Sequence, residues 1–461
     1  MVSVNDTQIS HNEKLKNKLI CLLFLIFVAF SFSWVLHVKP PFTSPDEGAH
    51  LSRADALRNG YVYLVSPDSK INSGGNVDKS LDIFRTQYDR VIKNHDPSLP
   101  NELKNKMRSL NWSGENKFYS MANTAFYFPL VYSPQALGFS LGHLFDLNIF
   151  TTYKLVSALN LIVITILVIF AWRLHPIPGP ALVIMLLPMS VFQFFSPTID
   201  GLTFALAAFL MSLFCNLLKN EKNSHSYAKI ILLCITVFIL SSSRANLLPL
   251  LLFPLWLFIK TKERSYLYGF IVTSLLVLFW TYFSIKTVHD NGIHHPGIEQ
   301  IDVLKHYIKH PLEVFSIIWN TISNYGTMKS YVLSFIGVLG WLDAPLTDFA
   351  YWYFGLFIYT IFVINIFSKN MLQRKSETIL LALFSLAVIT LTFCALLVQW
   401  STFPATRVDG VQGRYFIIPM IILGYAIMDK PELRKLSLIL SAIMAVASVY
   451  SVHLALETRY F

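Results

Sequence analysis

The sequence has 461 residues, of which 54% are hydrophobic and 14% are charged, and its mean hydropathy is positive. This composition is too apolar for one soluble domain, so it predicts an all-α polytopic membrane protein. The net charge of +10 comes from small basic groups at the ends of apolar runs, which argues against nucleic-acid binding. The cysteines all lie inside apolar runs, which predicts no disulfide, zinc site or redox role; they are Cys21, Cys215, Cys234 and Cys394.

The chain begins with a polar segment, residues 1–18, whose lysines predict a cytoplasmic N-terminus by the positive-inside rule. The first apolar run, 19–38, has no cleavage site after it and is predicted to be a retained transmembrane helix. If every later basic group is cytoplasmic, the chain crosses the membrane about eleven times. Spans two to seven occupy 153–285 and spans eight to eleven occupy 351–453, at residues 153–172, 180–196, 202–218, 230–243, 245–259, 266–285, 351–367, 379–399, 415–428 and 436–453. Residues 454–461 are then periplasmic.

A large periplasmic insertion is predicted between the first two spans, at residues 39–152. Most of it is polar, and the tract 72–76 is predicted to be a loop because it is rich in glycine, serine and asparagine. An apolar stretch that ends near Leu147 is short for a span, so we interpret it as a helix at the outer membrane interface.

A second periplasmic loop is predicted at residues 286–350. Within it, apolar and polar residues alternate at helical spacing over 301–322, which predicts an amphipathic interfacial helix interrupted at Pro311. The histidine pairs of this loop, including His294 and His295, show no nearby carboxylate or cysteine pattern typical of a metal site. We therefore interpret the histidines as part of a solvated face.

The stretch Ser44 to Arg53 follows the first span directly and contains two adjacent acids. Ser44 as N-cap, Pro45 at the first helical position and Glu47 in a capping box predict the start of a helix. Helical spacing then places Asp46, His50 and Arg53 on one face. Both acids also suit the positive end of a helix dipole, which explains Glu47 better than Asp46. We therefore expect Asp46 to have a chemical role.

The predicted orientation brings charged residues from distant parts of the chain to the same outer side. Charges at the edges of apolar runs are costly, so they often mark function, although a single interfacial arginine can also extend its charge to water. Arg414 stands out because nearby glycines let the backbone bend there and approach a ligand closely. The outer-side residues are Asp46, His50, Arg53, Asp200, Arg244, Arg407, Gln412, Arg414 and Tyr415.

An outer-side acid near arginines at headgroup depth indicates chemistry on a lipid phosphate. A guanidinium binds phosphate in a bidentate fashion, and a carboxylate can take a proton from an acceptor hydroxyl. The sequence has no phosphate-binding glycine loop, dinucleotide fingerprint, serine elbow or zinc protease motif. This argues against a soluble nucleotide-sugar donor.

Three blocks of the sequence resemble the signatures of a bacterial membrane family known as a domain of unknown function and grouped with the GT-C glycosyltransferases. The blocks are residues 45–54 (PDEGAHLSRA), 127–138 (YFPLVYSPQALG) and 412–419 (QGRYFIIP). The resemblance implies a GT-C-like fold with a catalytic base in the first outer loop, here Asp46 with Glu47 beside it. It also implies a polyprenyl-phosphate sugar donor.

The resemblance, together with the shared helix face and the predicted outer side, gives the other residues expected roles. Donor-phosphate binding is expected of Arg414, Gln412 and Tyr415, and of Arg244, whose position more often holds lysine in the family. Support for the base and the acceptor side is expected of His50, Arg53, Asp200, Tyr127 and Arg407. No resident metal or cofactor is expected, although Asp46 and Glu47 could share a divalent cation with the donor phosphate.

The expected function is therefore that of an inverting glycosyltransferase of the bacterial inner membrane with a periplasmic active site. It would move a hexose, glucose in the first instance, from undecaprenyl phosphate to a cell-surface polysaccharide such as O-antigen. By size and build the chain also resembles serotype-converting transferases. Two alternatives remain open: a polysaccharide ligase or polymerase, which also uses outer-loop arginines, and a transporter or flippase of lipid-linked glycans.

Overall fold

The computed structural model describes residues 2–68, 71–96, 98–219, 227–290, 298, 300–366 and 375–461, with side chains from Leu19 onward. Its α-helices are Val2–Val38 (α1), Glu47–Arg58 (α2), Lys79–Lys93 (α3), Asn101–Arg108 (α4), Ala122–Ala125 (α5), Ser133–Leu144 (α6), Ile149–Leu174 (α7), Gly179–Met185 (α8), Pro188–Phe194 (α9), Ile199–Lys219 (α10), Tyr227–Ser243 (α11), Leu252–Thr261 (α12), Arg264–Thr287 (α13), Gln300–Lys309 (α14), Pro311–Ile322 (α15), Tyr325–Gly337 (α16), Asp348–Asn365 (α17), Lys375–Gln399 (α18), Ile417–Ile427 (α19) and Arg434–Tyr460 (α20). Short 3₁₀-helices cover Pro129–Tyr132, Ala245–Leu251, Gly413–Phe416 and Pro431–Leu433, and the strands are Gly74–Asp78 (β1), Asn116–Ser120 (β2), Val338–Leu339 (β3) and Ala344–Pro345 (β4).

Seven helices in the described part of the chain are long and apolar enough to cross a membrane. They are Leu19–Val38 of α1, Ile149–Leu174, Ile199–Lys219, Arg264–Thr287, Asp348–Asn365, Lys375–Gln399 and Pro431–Tyr460. These helices coincide with seven of the predicted spans. The prediction of an all-α polytopic membrane protein is therefore confirmed.

The four other predicted spans form shorter helices. The span predicted at 180–196 is not one helix, because Pro188 cannot continue a helix and Leu187 before it takes an extended conformation. The chain there divides into α8 and α9. The spans predicted at 230–243, 245–259 and 415–428 correspond to Tyr227–Ser243, Ala245–Thr261 and Gly413–Ile427, which are apolar but shorter than the seven. The count of eleven crossings stays a prediction.

The helix α10 is the most enclosed of the candidate spans. In the most apolar 18-residue stretch of α10, 94% of the residues are buried inside the protein. The same share in the other candidate spans is between 11% and 33%. The helix α10 packs against α7, α9, α11 and α19. Because its first turn carries Asp200, this packing fixes that charged residue on a well-supported helix.

The insertion at 39–152 folds around a small antiparallel sheet, which the sequence did not predict. The tract expected to be a loop forms much of β1, which pairs with β2 from Gly74 opposite Ser120 to Asp78 opposite Asn116. A Cβ on Gly74 would lie 2.0 Å from the carbonyl oxygen of Tyr119. Glycine is thus needed for the strands to approach, and this replaces its predicted role in a loop.

The amphipathic helix predicted in the second outer loop is present, and it is interrupted where predicted. The first half, α14, ends at Lys309, and Pro311 begins α15. Val303 and Tyr307 of α14 and Ile317 of α15 pack in one apolar cluster with the segment that precedes Arg414. The helices α14 and α15 therefore support the segment that leads to the 3₁₀-helix Gly413–Phe416.

Candidate active site

Four charged side chains from distant parts of the sequence form one hydrogen-bonded group, the charged quartet: Asp46, Asp200, Arg244 and Arg414. Arg414 donates from Nη2 to Asp46 Oδ2 at 2.6 Å and from Nη1 to Asp200 Oδ2 at 2.9 Å. Arg244 donates to the other oxygen of Asp200. The Arg414 and Asp200 side chains are each 2% exposed, whereas that of Asp46 is 40% exposed. Asp46 is thus the member of the quartet that is most accessible to another molecule.

The turn before α2 presents Asp46. The helix begins at Glu47, so the prediction that Pro45 occupies its first position is wrong. Asp46 has a left-handed backbone with φ 61°, a conformation that costs a non-glycine residue roughly 1–3 kcal/mol. The Ser44 hydroxyl does not cap the helix but donates to Gln193 Oε1 at 3.2 Å. Glu47 does accept from the Ser44 backbone N–H at 3.0 Å, as a capping box requires.

Glu47 lies in a different environment from its neighbour Asp46. Its carboxylate is fully buried and accepts from Lys39 Nζ at 2.8 Å, from the Tyr153 hydroxyl at 2.7 Å and from the backbone N–H of Phe42 at 2.9 Å. Together with the bond from Ser44, these contacts occupy both oxygens. Glu47 therefore fixes the turn that carries Asp46, and its oxygens have no place in a cation site shared with Asp46.

Asp46 and His50, one helical turn further along the chain, both have pKa values below their ordinary ones. Burial acts to raise the pKa of Asp46, but the Arg414 guanidinium and the other nearby cations outweigh it and hold this pKa below its ordinary value. Burial lowers the pKa of His50 to about 3. At neutral pH Asp46 is therefore a carboxylate and His50 is a neutral imidazole.

Aromatic side chains enclose the quartet. The Arg414 guanidinium lies 5.2 Å from the centre of the Tyr415 ring and donates to its hydroxyl at 3.4 Å. His50 Nδ1 lies 2.9 Å from the Tyr132 hydroxyl, and the His50 ring stacks on Tyr127 with 6.4 Å between centroids. Burial raises the pKa of both Tyr127 and Tyr132, so their hydroxyls stay protonated. Tyr132 is not among the predicted site residues, although it lies within the second signature block.

Three predicted site residues have other surroundings. Arg53 is fully buried and donates to the backbone carbonyls of Tyr61 at 2.8 Å and Val62 at 2.7 Å, so it holds the chain after α2. Arg407 is exposed, and no contact among the described residues ties it to the quartet. Gln412 precedes the 3₁₀-helix of Arg414 and its buried Oε1 has no hydrogen-bond partner among the described residues.

Gly413 positions Arg414 by close contact with α16. A Cβ at this position would lie 2.0 Å from the backbone nitrogen of Phe335, and the Gly413 N–H donates to Ser334 Oγ at 3.0 Å. The close neighbour that requires glycine here is a helix backbone, and the expectation that the glycines let the backbone approach a ligand stays a prediction. This contact aims the Arg414 side chain toward Asp46 and Asp200.

Among the described residues, a group of potential metal ligands shares no residue with the quartet. His306, His310 and Glu313 each offer a ligand atom, and these atoms lie within 4.8 Å of one another. The prediction that the histidines of this loop have no nearby carboxylate is therefore wrong for His306, whose Nε2 lies 2.9 Å from Glu313 Oε2. Pro311 turns the chain so that α15 brings Glu313 back toward α14. The pair at positions 294 and 295 lies outside the described residues.

The sequence model of the family described as predicted membrane protein (DUF2142) matches residues 24–423. The chain belongs to this family. The region of this DUF2142 protein that matches contains all four residues of the charged quartet. No curated protein sequence matches the chain.

Among solved structures, this DUF2142 protein is similar to the crystal structure of ArnT from Cupriavidus metallidurans in the apo state. The alignment covers 94% of this chain and 76% of that chain, at 14% identity and a TM-score of 0.34. A likeness this distant carries no conclusion about activity, which has to be argued from the site.

Proposed function

We propose that the protein is an inverting glycosyltransferase of the GT-C type that moves a hexose from a polyprenyl phosphate to a glycan hydroxyl. The observation that carries this proposal is the position of Arg414, which is buried and bonded at once to the accessible Asp46 and the buried Asp200. A fixed cation next to an accessible carboxylate provides a phosphate-binding group and a base in one place. The resemblance of the three signature blocks supports the same reaction.

The arginines would bind the donor phosphate. The Nε–H groups of Arg244 and Arg414 make no hydrogen bond to any described residue, and a guanidinium recognises phosphate through its planar N–H groups. Two arginines and two aspartates leave the quartet with no net charge. A donor phosphate would therefore take the place of the Asp46 carboxylate as the partner of Arg414. Asp200 would keep both arginines in position during this exchange.

Asp46 would act as the base once Arg414 has turned to the phosphate. Paired with Arg414, its carboxylate has a low pKa and takes up protons weakly. After exchange, it would accept the proton of the acceptor hydroxyl while that oxygen attacks the anomeric carbon. The bond from this carbon to the phosphate oxygen breaks on the opposite face, and the phosphate leaves with its electron pair. One displacement of this kind inverts the anomeric centre.

The remaining residues near the quartet would shape the acceptor side. His50 is neutral and bonded to Tyr132, so it can orient a hydroxyl without repelling the arginines. Tyr127 stacks on His50. Arg53 and Glu47 hold the backbone around Asp46 and would affect transfer only indirectly.

The substrates belong to the same proposal. The donor would be undecaprenyl phosphate carrying glucose and the acceptor a cell-surface polysaccharide such as O-antigen, with the site on the periplasmic side of the inner membrane. This choice rests on the signature blocks and on the predicted loop orientation. The reaction needs no cofactor, and Glu47 has no free oxygen to share a cation with Asp46.

The decisive experiment compares the wild type with Asp46→Asn in membrane vesicles supplied with undecaprenyl-phosphate glucose and host polysaccharide. We expect sugar transfer by the wild type and none by Asp46→Asn, because asparagine cannot take the hydroxyl proton. Asp409→Asn is the matched control, since Asp409 is an exposed acid close in sequence to Arg414 and should leave transfer unchanged. All three proteins must be present in the membrane in equal amounts.

Normal transfer by Asp46→Asn would exclude Asp46 as the base. If the wild type transfers no sugar from any lipid-linked donor, the assay should be changed to detect the alternatives. Joining of whole lipid-linked glycans would indicate a ligase or polymerase, and movement of a lipid-linked glycan across the vesicle membrane would indicate a flippase.

A further inference from the structure

We propose that His306, His310 and Glu313 form a divalent-metal site, with Zn²⁺ as the ion they fit best. Two imidazoles and one carboxylate are a common zinc donor set, which leaves a fourth position for water. The three ligand atoms lie within 4.8 Å of one another, so small side-chain rotations bring them around one ion. This proposal is independent of the glycosyltransferase proposal.

The hydrogen bonds leave the correct nitrogen free on His310. Its Nδ1 lies 2.8 Å from the backbone carbonyl oxygen of His306, and a carbonyl can only accept, so Nδ1 carries the proton. The Nε2 lone pair is then available for a metal. In metal-binding histidines, the ring nitrogen that does not bind the metal usually donates a hydrogen bond of this kind, and this bond fixes the orientation of the ring.

The other two ligands are also held in place and remain accessible. His306 contacts the Phe403 ring edge-on, with 5.0 Å between centroids, and stacks on His310 at 4.3 Å. The His306 side chain is 33% exposed and that of Glu313 is 36% exposed. An ion from the surrounding water can therefore reach both, and Zn²⁺ would replace the hydrogen bond that now joins them.

The metal would link α14 to α15 next to the segment that leads to Arg414. These helices pack against Ala405, Val408 and Val411, and the Val408 N–H donates to Thr321 Oγ1 at 2.8 Å. A bound ion would hold the two helices together across Pro311. We therefore expect Zn²⁺ to stabilise the outer loop and not to enter the quartet.

The test measures Zn²⁺ bound to the full-length protein, purified in detergent with an affinity tag that contains no histidine. We expect one Zn²⁺ per wild-type chain and a four-coordinate absorption spectrum when Co²⁺ replaces it. The variants His306→Ala, His310→Gln and Glu313→Gln should each weaken Zn²⁺ affinity at least about tenfold, since even second-shell changes have effects of that size. Lys309→Ala removes an exposed side chain of the same helix and should bind Zn²⁺ as the wild type does.

Thermal unfolding distinguishes loss of the site from loss of the fold. Added Zn²⁺ should raise the unfolding temperature of the wild type and of Lys309→Ala, but not that of the three ligand variants, because only folded protein with an intact site gains from binding. Unchanged Zn²⁺ affinity in the ligand variants would overturn the proposal. So would a folded wild type that binds no Zn²⁺.

Discussion

Replacing Asp200 by asparagine tests the centre of the charged quartet most directly. Asp200 is 2% exposed and accepts from both Arg414 and Arg244. Asparagine keeps the shape but removes the charge, which leaves the buried Arg414 and the largely buried Arg244 with Asp46 as their remaining carboxylate in the quartet. Breaking a buried ion pair by removing one partner costs about 3–5 kcal/mol, so we expect the free energy of unfolding to fall by about that amount.

A double-mutant cycle separates this pairing from other effects of the substitution. Arg244→Gln alone should also destabilise the protein, because Asp200 then loses one of its two partners. The double variant, Asp200→Asn with Arg244→Gln, should lose less free energy of unfolding than the two single variants lose together. We expect this difference, the coupling energy, to be about 0.5–3 kcal/mol. Chemical or thermal unfolding in one detergent, followed by intrinsic tryptophan fluorescence, measures all four proteins on the same scale.

The control pair lies at the surface of the same molecule. Lys305 and Asp302 are 2.8 Å apart with side chains 61% and 58% exposed, and an exposed pair of this kind contributes little. A double-mutant cycle on Lys305 and Asp302 should show a coupling energy of at most about 1 kcal/mol. If the coupling energy between Asp200 and Arg244 is no larger than that of the surface pair, the effects of the two substitutions are simply additive. That result would refute the buried pairing on which the proposed site depends.

Two further predictions concern residues around the quartet. His50 has a folded-state pKa of about 3, below its ordinary 6.5, so between these pH values the unfolded chain binds a proton that the folded chain does not. Wild-type stability should fall as pH drops through this window, by at most about 1.4 kcal/mol per pH unit, and His50→Gln should lose this slope in acid unfolding. Gly413→Ala would place a methyl group 2.0 Å from Phe335 N and should cost about 1–3 kcal/mol together with sugar transfer. Gly355→Ala, where an added Cβ would meet no described atom within 4 Å apart from its chain neighbours and its own helix backbone, should leave both unchanged.

The sequence alone predicts which residues of the site come together better than it predicts how each one points. Charge at the ends of apolar runs places Asp46, Asp200, Arg244 and Arg414 on one side, and the structure joins all four. That prediction works because the membrane restricts where charged residues can lie, so few arrangements remain.

The separate environments of Asp46 and Glu47 could not be predicted from their adjacency. They follow from the left-handed backbone at Asp46 and from distant partners such as Tyr153, which the pattern around residue 46 does not indicate. Arg53 is a similar case, because its partners are backbone carbonyls and these leave no trace in side-chain patterns. Helical spacing predicts a shared face, but it does not predict which tertiary contact each side chain makes.

Under the proposed function, the ion pair between Asp46 and Arg414 would favour an order of binding in which the donor comes first. Arg414 is bonded to Asp46 at 2.6 Å, and this bond keeps the carboxylate weakly basic. An acceptor that arrives first meets a carboxylate already occupied by a guanidinium. A donor phosphate that arrives first takes over the arginine and frees Asp46 for the acceptor hydroxyl. Under the proposed function, the ion pair between Arg414 and Asp46 would therefore prevent proton removal until the donor phosphate has taken Arg414 as its partner.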